Sequence, residues 1–365
     1  MRKIAAFRLL AGLASCLGFS SFNIPASAAA PQLVIEDNDF LGPGGSDLQS
    51  TLPLIADPNV TLLGFTIVAG DAWENEESAH LRRFLEIAGH TGIPVADGAT
   101  LPLVNSVARM RLWELAYGTI PWKGAWGGLG PIDKVPATQP AVPKLDEGMP
   151  SLGASHERAA DFLIRMVHAH PHQVTIVAAG PLTNLALAIR LDPDFAATAK
   201  QLVFMGGLID TNMESVTGNA DFASDFNMIF DPEAAHIVLT AAWPKIVSVG
   251  NVSNNVMMTK ALMARITAKP SAFTAYLSRY FAPLPMWDEM TAAIAVDPTL
   301  VTRAVTAYLD IDTNPGVDYG HAHVWPANLV PKGMGLRPVS IVQAIDTRRF
   351  LDRFVQQAQR TGAKP

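Results

Sequence analysis

Three aspartates within a short span carry the first chemical signal in the chain. Asp37 and Asp39 close the segment V-I-E-D-N-D, and Asp47 follows the turn F-L-G-P-G-G-S. Carboxylates at i and i+2 of a strand point to one face, and a tight turn through Gly42 to Gly45 folds a third back beside them. Clustered carboxylates must share a proton, meet a cationic side chain or bind a cation. No Lys or Arg occurs between Pro31 and Leu81. The reading is therefore a hard divalent ion, and with oxygen ligands only, calcium or magnesium leads.

Such a cluster needs elements that hold it. Leu33 to Ile35, Leu62 to Val68, Val174 to Ala178, Leu202 to Met205 and Ile246 to Val249 are apolar, β-rich and bounded by Gly, Pro, Asp or Asn, as buried strands are. Between them, Glu77 to Gly89, Ser155 to His168, Asn184 to Arg190 and Pro232 to Ala241 carry apolar residues at helical spacing. This alternation predicts an α/β fold, a single domain over 31–360 with a mainly parallel central sheet and helices on both faces. In such sheets ligands sit beyond the carboxyl ends of the strands. Asp37, Asp39, Asp71 and the stretch Gly180 to Asn184 all follow strand ends. An aperiodic insertion at about 112–150, rich in Pro, Gly and Trp, reads as a lid.

The amino terminus reads as an export signal. Arg2, Lys3 and Arg8 precede an uncharged apolar run, and Ala26-Ser27-Ala28 offers cleavage near Ala28 to Ala30, so residues 1–30 are a signal peptide and the chain is periplasmic or secreted. Cys16, the only cysteine, follows Leu13-Ala14-Ser15 in a lipobox-like context, and lipidation there is the secondary reading. Removing three positive charges and no negative ones moves the formal charge from -6 to -9. An acidic chain without a basic run argues against nucleic acid as a partner. No later stretch is apolar enough to span a membrane once the signal is removed. Self-association is left open.

Further segments add a family resemblance. L-L-G-F-T-I-V-A-G-D (Leu62 to Asp71), I-P-V-A-D-G-A-T-L-P-L-V (Ile93 to Val104), V-A-A-G-P-L-T-N-L-A-L-A (Val177 to Ala188) and V-F-M-G-G (Val203 to Gly207) occur in order. Gly218-Asn219, D-F-N-M-I-F-D-P-E-A-A (Asp225 to Ala235) and W-D-E-M-T-A-A (Trp287 to Ala293) follow. The succession, over most of 33–310, resembles the inosine-uridine-preferring nucleoside hydrolase family, whose amino-terminal D-x-D-P-G-x-D-D turn binds calcium and the ribose.

The resemblance implies hydrolysis of the N-glycosidic bond of a small-molecule nucleoside, with Ca2+ as cofactor. It implies Asp39 as general base and calcium ligand, with Asp47, Asp288 and the main-chain carbonyl of Ala179 as further ligands. Asp37 would orient the cluster from behind. Asn219, Asp225 and Asn227 would hold ribose hydroxyls, with Met205 beneath the sugar. This chain departs from the family pattern at four points. Its turn is three residues longer, and Ser46 replaces an aspartate that binds ribose. Trp287 stands where many members carry a histidine that protonates the leaving base, and Asp71 stands where asparagine is usual. Stacking on Trp287 tilts the expectation slightly toward a purine.

Other readings compete. A non-catalytic nucleoside or sugar binder on the same fold would explain Ser46 and the missing histidine. A haloacid-dehalogenase-type phosphatase also places D-x-D after its first strand, but Phe40-Leu41 and the lack of a partner lysine motif speak against it. Trp73, Trp113, Trp122 and Trp126 fit lid packing as well as base stacking. His321 and His323 read as a surface hairpin ahead of a proton donor.

Overall fold

The sheet is organised around β1 (Gln32–Asn38), whose side chains alternate between two cores. Val34 belongs to one apolar cluster and Ile35 to the other, so Glu36 and Asn38 share the face of Val34, and Asp37 the face of Ile35. The computed structural model describes residues 30–207 and 225–362. Along the chain the elements that bear on the site are β1, α1 (Ser46–Gln49), β2 (Val60–Ile67), α2 (Glu74–Ala88), β3 (Val95–Asp97) and α3 (Val107–Tyr117). Then come α4 (Ala159–Ala169), β4 (Val174–Ala178), α5 (Thr183–Leu191), β5 (Gln201–Phe204), α6 (Phe226–Phe230), α7 (Pro232–Thr240) and β6 (Ile246–Ser248). The last are α8 (Trp287–Val296), β7 (Val301–Ile311), β8 (Ala322–Trp325), β9 (Pro338–Ile345) and α9 (Thr347–Arg360).

The strand order is β3-β2-β1-β4-β5-β6-β9-β7-β8, parallel from β3 through β9, with β7 antiparallel to both β9 and β8. The chain runs outward from β1 to β3 on one side, then returns to lay β4 on the other side of β1. That reversal creates a switch-point crevice at the carboxyl ends of β1 and β4. Asp37 pairs in register with Thr66 on β2 and with Ala178 on β4, so the acidic end of β1 opens into this crevice.

Both faces are covered. Phe65, Ile67, Val177 and Val203 pack with Phe84, Met290, Ile294 and Phe354, and Ile176, Leu202 and Phe204 pack with Leu163, Leu185, Val238 and Leu239. Each fully buried Val, Leu, Ile or Phe contributes roughly 1.5–3 kcal/mol. This core offsets the acidic rim, where each unpaired buried charge costs several kcal/mol, on the order of what two core residues supply.

The observed strands and helices overlap every segment expected from periodicity. β3, β7 and β9 were not expected as strands. β3 has three residues, and β7 is mostly exposed along V-T-R-A-V-T, so neither presents a buried apolar run. The 318–325 segment does form one arm of the β7–β8 hairpin. The insertion begins inside α3, whose Ser106 cap accepts the Arg109 amide, and continues with only short 3-10 turns at Gly124–Trp126 and Ile132–Lys134. No helix among the described residues is long and apolar enough to cross a membrane.

Candidate functional site

The turn after β1 is shaped by its glycines. Gly44 has φ of +80°, and a Cβ there would overlap the Tyr280 carbonyl, so only glycine lets the turn lie against that backbone. The turn delivers α1, and with it Asp47, back to the strand end. Asp39, Asp47 and Asp288 are all buried. Asn38 joins them: its Oδ1 accepts the Asp39 amide at 2.9 Å, and its Nδ2 donates to Asp288 Oδ2 at 3.2 Å and reaches the Asp47 carbonyl at 3.5 Å. The Asp47 and Asp288 carboxyls lie within each other's electrostatic reach.

Each carboxylate is held by amides. Asp39 Oδ2 accepts the Asp71 amide at 2.8 Å, and Asp47 Oδ2 accepts the Leu41 amide at 3.1 Å. Glycines permit this closeness: a Cβ on Gly70 would overlap Asp39 Oδ2, and one on Gly180 would lie 2.6 Å from Oδ1. Burial, then repulsion from Asp71, raises the Asp39 and Asp47 carboxyls well above the usual range, and burial pushes Asp288 up to about 7. Burial also pushes Asp71 up to about 6, against the opposing hydrogen bond from Trp122. Among the described residues no Lys, Arg or His forms an ion pair with Asp39, Asp47, Asp71 or Asp288. This donor set of buried carboxylates without a cationic partner suits a hard divalent ion. The carboxylates are neighbours rather than a finished cage, for no three His, Cys, Asp or Glu side chains among the described residues already stand in a metal-holding arrangement.

The remaining expected residues divide into two groups. Asp37 lies on the other face of β1, where Thr66 Oγ1 and Asn184 Nδ2 donate to its Oδ2 at 2.5 and 2.8 Å; burial pushes it up to about 7. Asn227 donates to the Ala179 carbonyl at 2.5 Å and lies 3.3 Å from Met205 Sδ, so Ala179, Met205 and Asn227 are together. Asp225 stands at the N-cap position of α6, and its side chain accepts the Gly207 amide at 2.5 Å. Trp287 is half-buried, its indole N–H donating to Asn254 at 2.7 Å. Asn219 lies outside the described residues.

Ser46, expected at the ribose, bridges two elements in the structure. Its hydroxyl donates to Glu289 Oε2 at 2.5 Å and accepts the Asp288 amide at 3.0 Å, which ties α1 to the first turn of α8. A hydroxyl has one hydrogen to donate, and here Glu289 takes it.

Several residues at the site escape a reading by spacing. Asn38, Glu36, Glu77, Asn184 and Glu289 are buried and polar. Strand alternation does place Asn38 opposite Asp37, but nothing local says that its partner is 250 positions away. From the insertion, Trp122 donates to Asp71 Oδ1 at 2.5 Å and sets its ring edge-on to Phe226 at 6.4 Å. Trp73 and Trp126 are core, the latter against Phe230, and Trp113 bonds the Gly316 carbonyl. His321 and His323 lie at the far end of the strand order, beside Asp318 and Asp312.

A mainly parallel α/β sheet carrying a rim of buried carboxylates at its switch point is the class of site that this fold builds. Residues 34–352 match the family model described as inosine-uridine preferring nucleoside hydrolase. An uncharacterised protein of Schizosaccharomyces pombe, C800.11, is 33% identical over 351 residues, covering 90% of this chain and 85% of that one. The inosine-uridine preferring nucleoside hydrolase of Leishmania major is 29% identical over 304 residues, covering 80% and 86%. The solved structure of a plant nucleoside hydrolase superposes with a TM-score of 0.70 at 25% identity, covering 92% of this chain and all of that one. The chain belongs to the inosine-uridine preferring nucleoside hydrolase family. It is a hydrolase of the N-ribosyl bonds of nucleosides, in a family that is metal-dependent in general.

Proposed function

We propose that the chain cleaves ribonucleosides with Asp39 as general base and a calcium ion as cofactor, purine nucleosides being slightly favoured. The observation that supports this best is the meeting of Asp39, Asp47 and Asp288 at the carboxyl end of β1 without a cationic side chain. Asp39, Asp47, Asp288 and the Ala179 carbonyl would hold the ion, with Asn227 giving up the last. When bound, calcium supplies positive charge and makes a coordinated water more acidic.

The protein's own groups do the rest. Asp39 takes a proton from the attacking water, a contribution of roughly 10² to 10⁴ in rate. Its neighbours Asp47, Asp71 and Asp288 favour the positive charge that develops on the ribose as the base departs. Asp225 and Asn227 flank Met205 where the sugar would rest. Trp287 lacks a titratable proton, so its part is to stack on the leaving base, which favours the larger ring system of a purine. The first 30 residues would export the chain to the periplasm or the medium.

Incubating the purified mature chain with purine and pyrimidine nucleosides in calcium, and assaying reducing sugar, tests this reading. Release of ribose from purine nucleosides first is expected. No release from any nucleoside would sink the proposal, and release from pyrimidines alone would sink the purine preference.

A further inference from the structure

Glu77 is a fully buried carboxylate in the first turns of α2, beside the acidic rim yet outside any expected role. Its Oε1 accepts the Ala72 amide at 2.6 Å, while its Oε2 has no hydrogen-bond partner. Asp39, Asp47 and Asp71 all lie within its electrostatic reach. For stability alone the position is a poor one for an acid, because burial and three acidic neighbours both disfavour it. Local rules broken at one place in an otherwise consistent fold point to function.

The bond that Glu77 makes is informative. Ala72 belongs to the turn Gly70 to Ala72, in which the Gly70 amide donates to the Ala72 carbonyl at 3.1 Å. The middle residue of that turn supplies the amide that donates to Asp39 Oδ2 at 2.8 Å. The Gly70 carbonyl in turn accepts the Ala125 amide of the insertion at 2.9 Å. Trp73, which precedes α2 at its N-cap position, offers no side-chain cap, so Glu77 is the side chain that reaches back from the helix to fix this turn.

We propose that Glu77 is a positioning residue for Asp39: by holding the Ala72 amide it sets the turn that aims the Asp71 amide at the Asp39 carboxylate. The inference rests on the reading of Asp39 as the base. A rigid helix thereby fixes the orientation of a carboxylate that must meet a water at a defined angle. Misplacement by about 1 Å at such a centre costs about 10²-fold in rate.

The test compares Glu77→Gln with Glu77→Met, two side chains of similar volume of which only the first keeps an acceptor oxygen. In calcium, with a nucleoside that the wild-type chain cleaves, kcat of Glu77→Met should fall about 10²-fold with KM largely unchanged. Glu77→Gln should stay within about tenfold of wild type, since a neutral acceptor replaces a stronger charged one. A Glu77→Met chain that is folded and turns over like wild type, or Gln and Met variants that fall together, would overturn the proposal. If Glu77→Met does not fold, Glu77→Leu, which also lacks an acceptor, takes its place in the same comparison with Glu77→Gln: a loss in Leu that Gln does not share supports the role, and equal turnover of the two overturns it. An inactive wild-type chain, or an Asp39→Asn chain as active as wild type, would bring down the reading of Asp39 and this inference with it.

Discussion

Asn38 Nδ2 lies 3.2 Å from Asp288 Oδ2, joining the end of the first strand to a helix 250 positions later. The same side chain accepts the Asp39 amide through its Oδ1. One amide group thus sets the spacing between two of the carboxylates proposed to hold the cation. Replacing it with alanine would leave Asp288 without that donor. Asn38→Ala should weaken calcium binding about 10–100-fold, as losing a group that orients metal ligands does. Calorimetric titration with calcium measures this, and unchanged affinity would remove Asn38 from the site.

Asp39→Asn keeps the size of the side chain and removes its capacity to take a proton. The expected loss in kcat is about 10²- to 10⁴-fold, with the chain still folded by circular dichroism. Reducing-sugar release under saturating nucleoside gives the comparison. A variant that retained full turnover would transfer the base to another carboxylate of the rim.

Chelation should both silence and destabilise the protein. A cation present at 100 times its dissociation constant adds about 2.7 kcal/mol to the folded state. Thermal unfolding in chelator, followed by calcium or magnesium addition, reads that difference and ranks the ions. An unfolding midpoint indifferent to both ions would contradict a metal held by Asp39, Asp47 and Asp288.

In chelator, stability should fall as pH rises. Burial pushes Asp231 from 3.8 to about 6 and Glu74 from 4.5 to about 7, and neither belongs to the proposed ligand set. Both bind a proton more tightly folded than unfolded, so the stability they lend is complete below about pH 4 and is lost as pH climbs through about 6 to 7. Each tenfold in proton affinity is worth about 1.4 kcal/mol. Urea unfolding at pH 5 and pH 8 should show the lower stability at pH 8. Glu74→Gln should flatten part of the slope, and an unchanged slope would assign it elsewhere.

The helices and parallel strands around the site were legible because buried strands and amphipathic helices write their burial into local periodicity. Asp37, Asp39 and Asp47 were legible as chemistry because carboxylates without nearby Lys or Arg demand an explanation, whereas Asp288 was reached only through the family resemblance. Asn38 and Glu77 were not legible. Their roles depend on what faces them across the crevice, and an amide or an acid in a strand end or a first helical turn is unremarkable by local rules. Ser46 shows a further limit: its place in the motif suggested a ligand contact, and nothing local said that its hydroxyl also donates to Glu289, 243 positions away. β7 escaped notice because its exposed first half lacks the apolar run of an interior strand.

Trp122 belongs to the insertion, yet its indole bonds Asp71 and its ring meets Phe226, next to Asn227. The insertion is thus tied to the rim by the Trp122 indole and by the Ala125 amide, which donates to the Gly70 carbonyl, while Asp39, Asp47 and Asp288 are held from β1, α1 and α8. In the proposed reading, the carboxylates and the insertion that meets them are separately encoded parts of the chain. Exchanging the 118–131 stretch for that of a relative should retarget the enzyme to another leaving base while its carboxylates stay as they are.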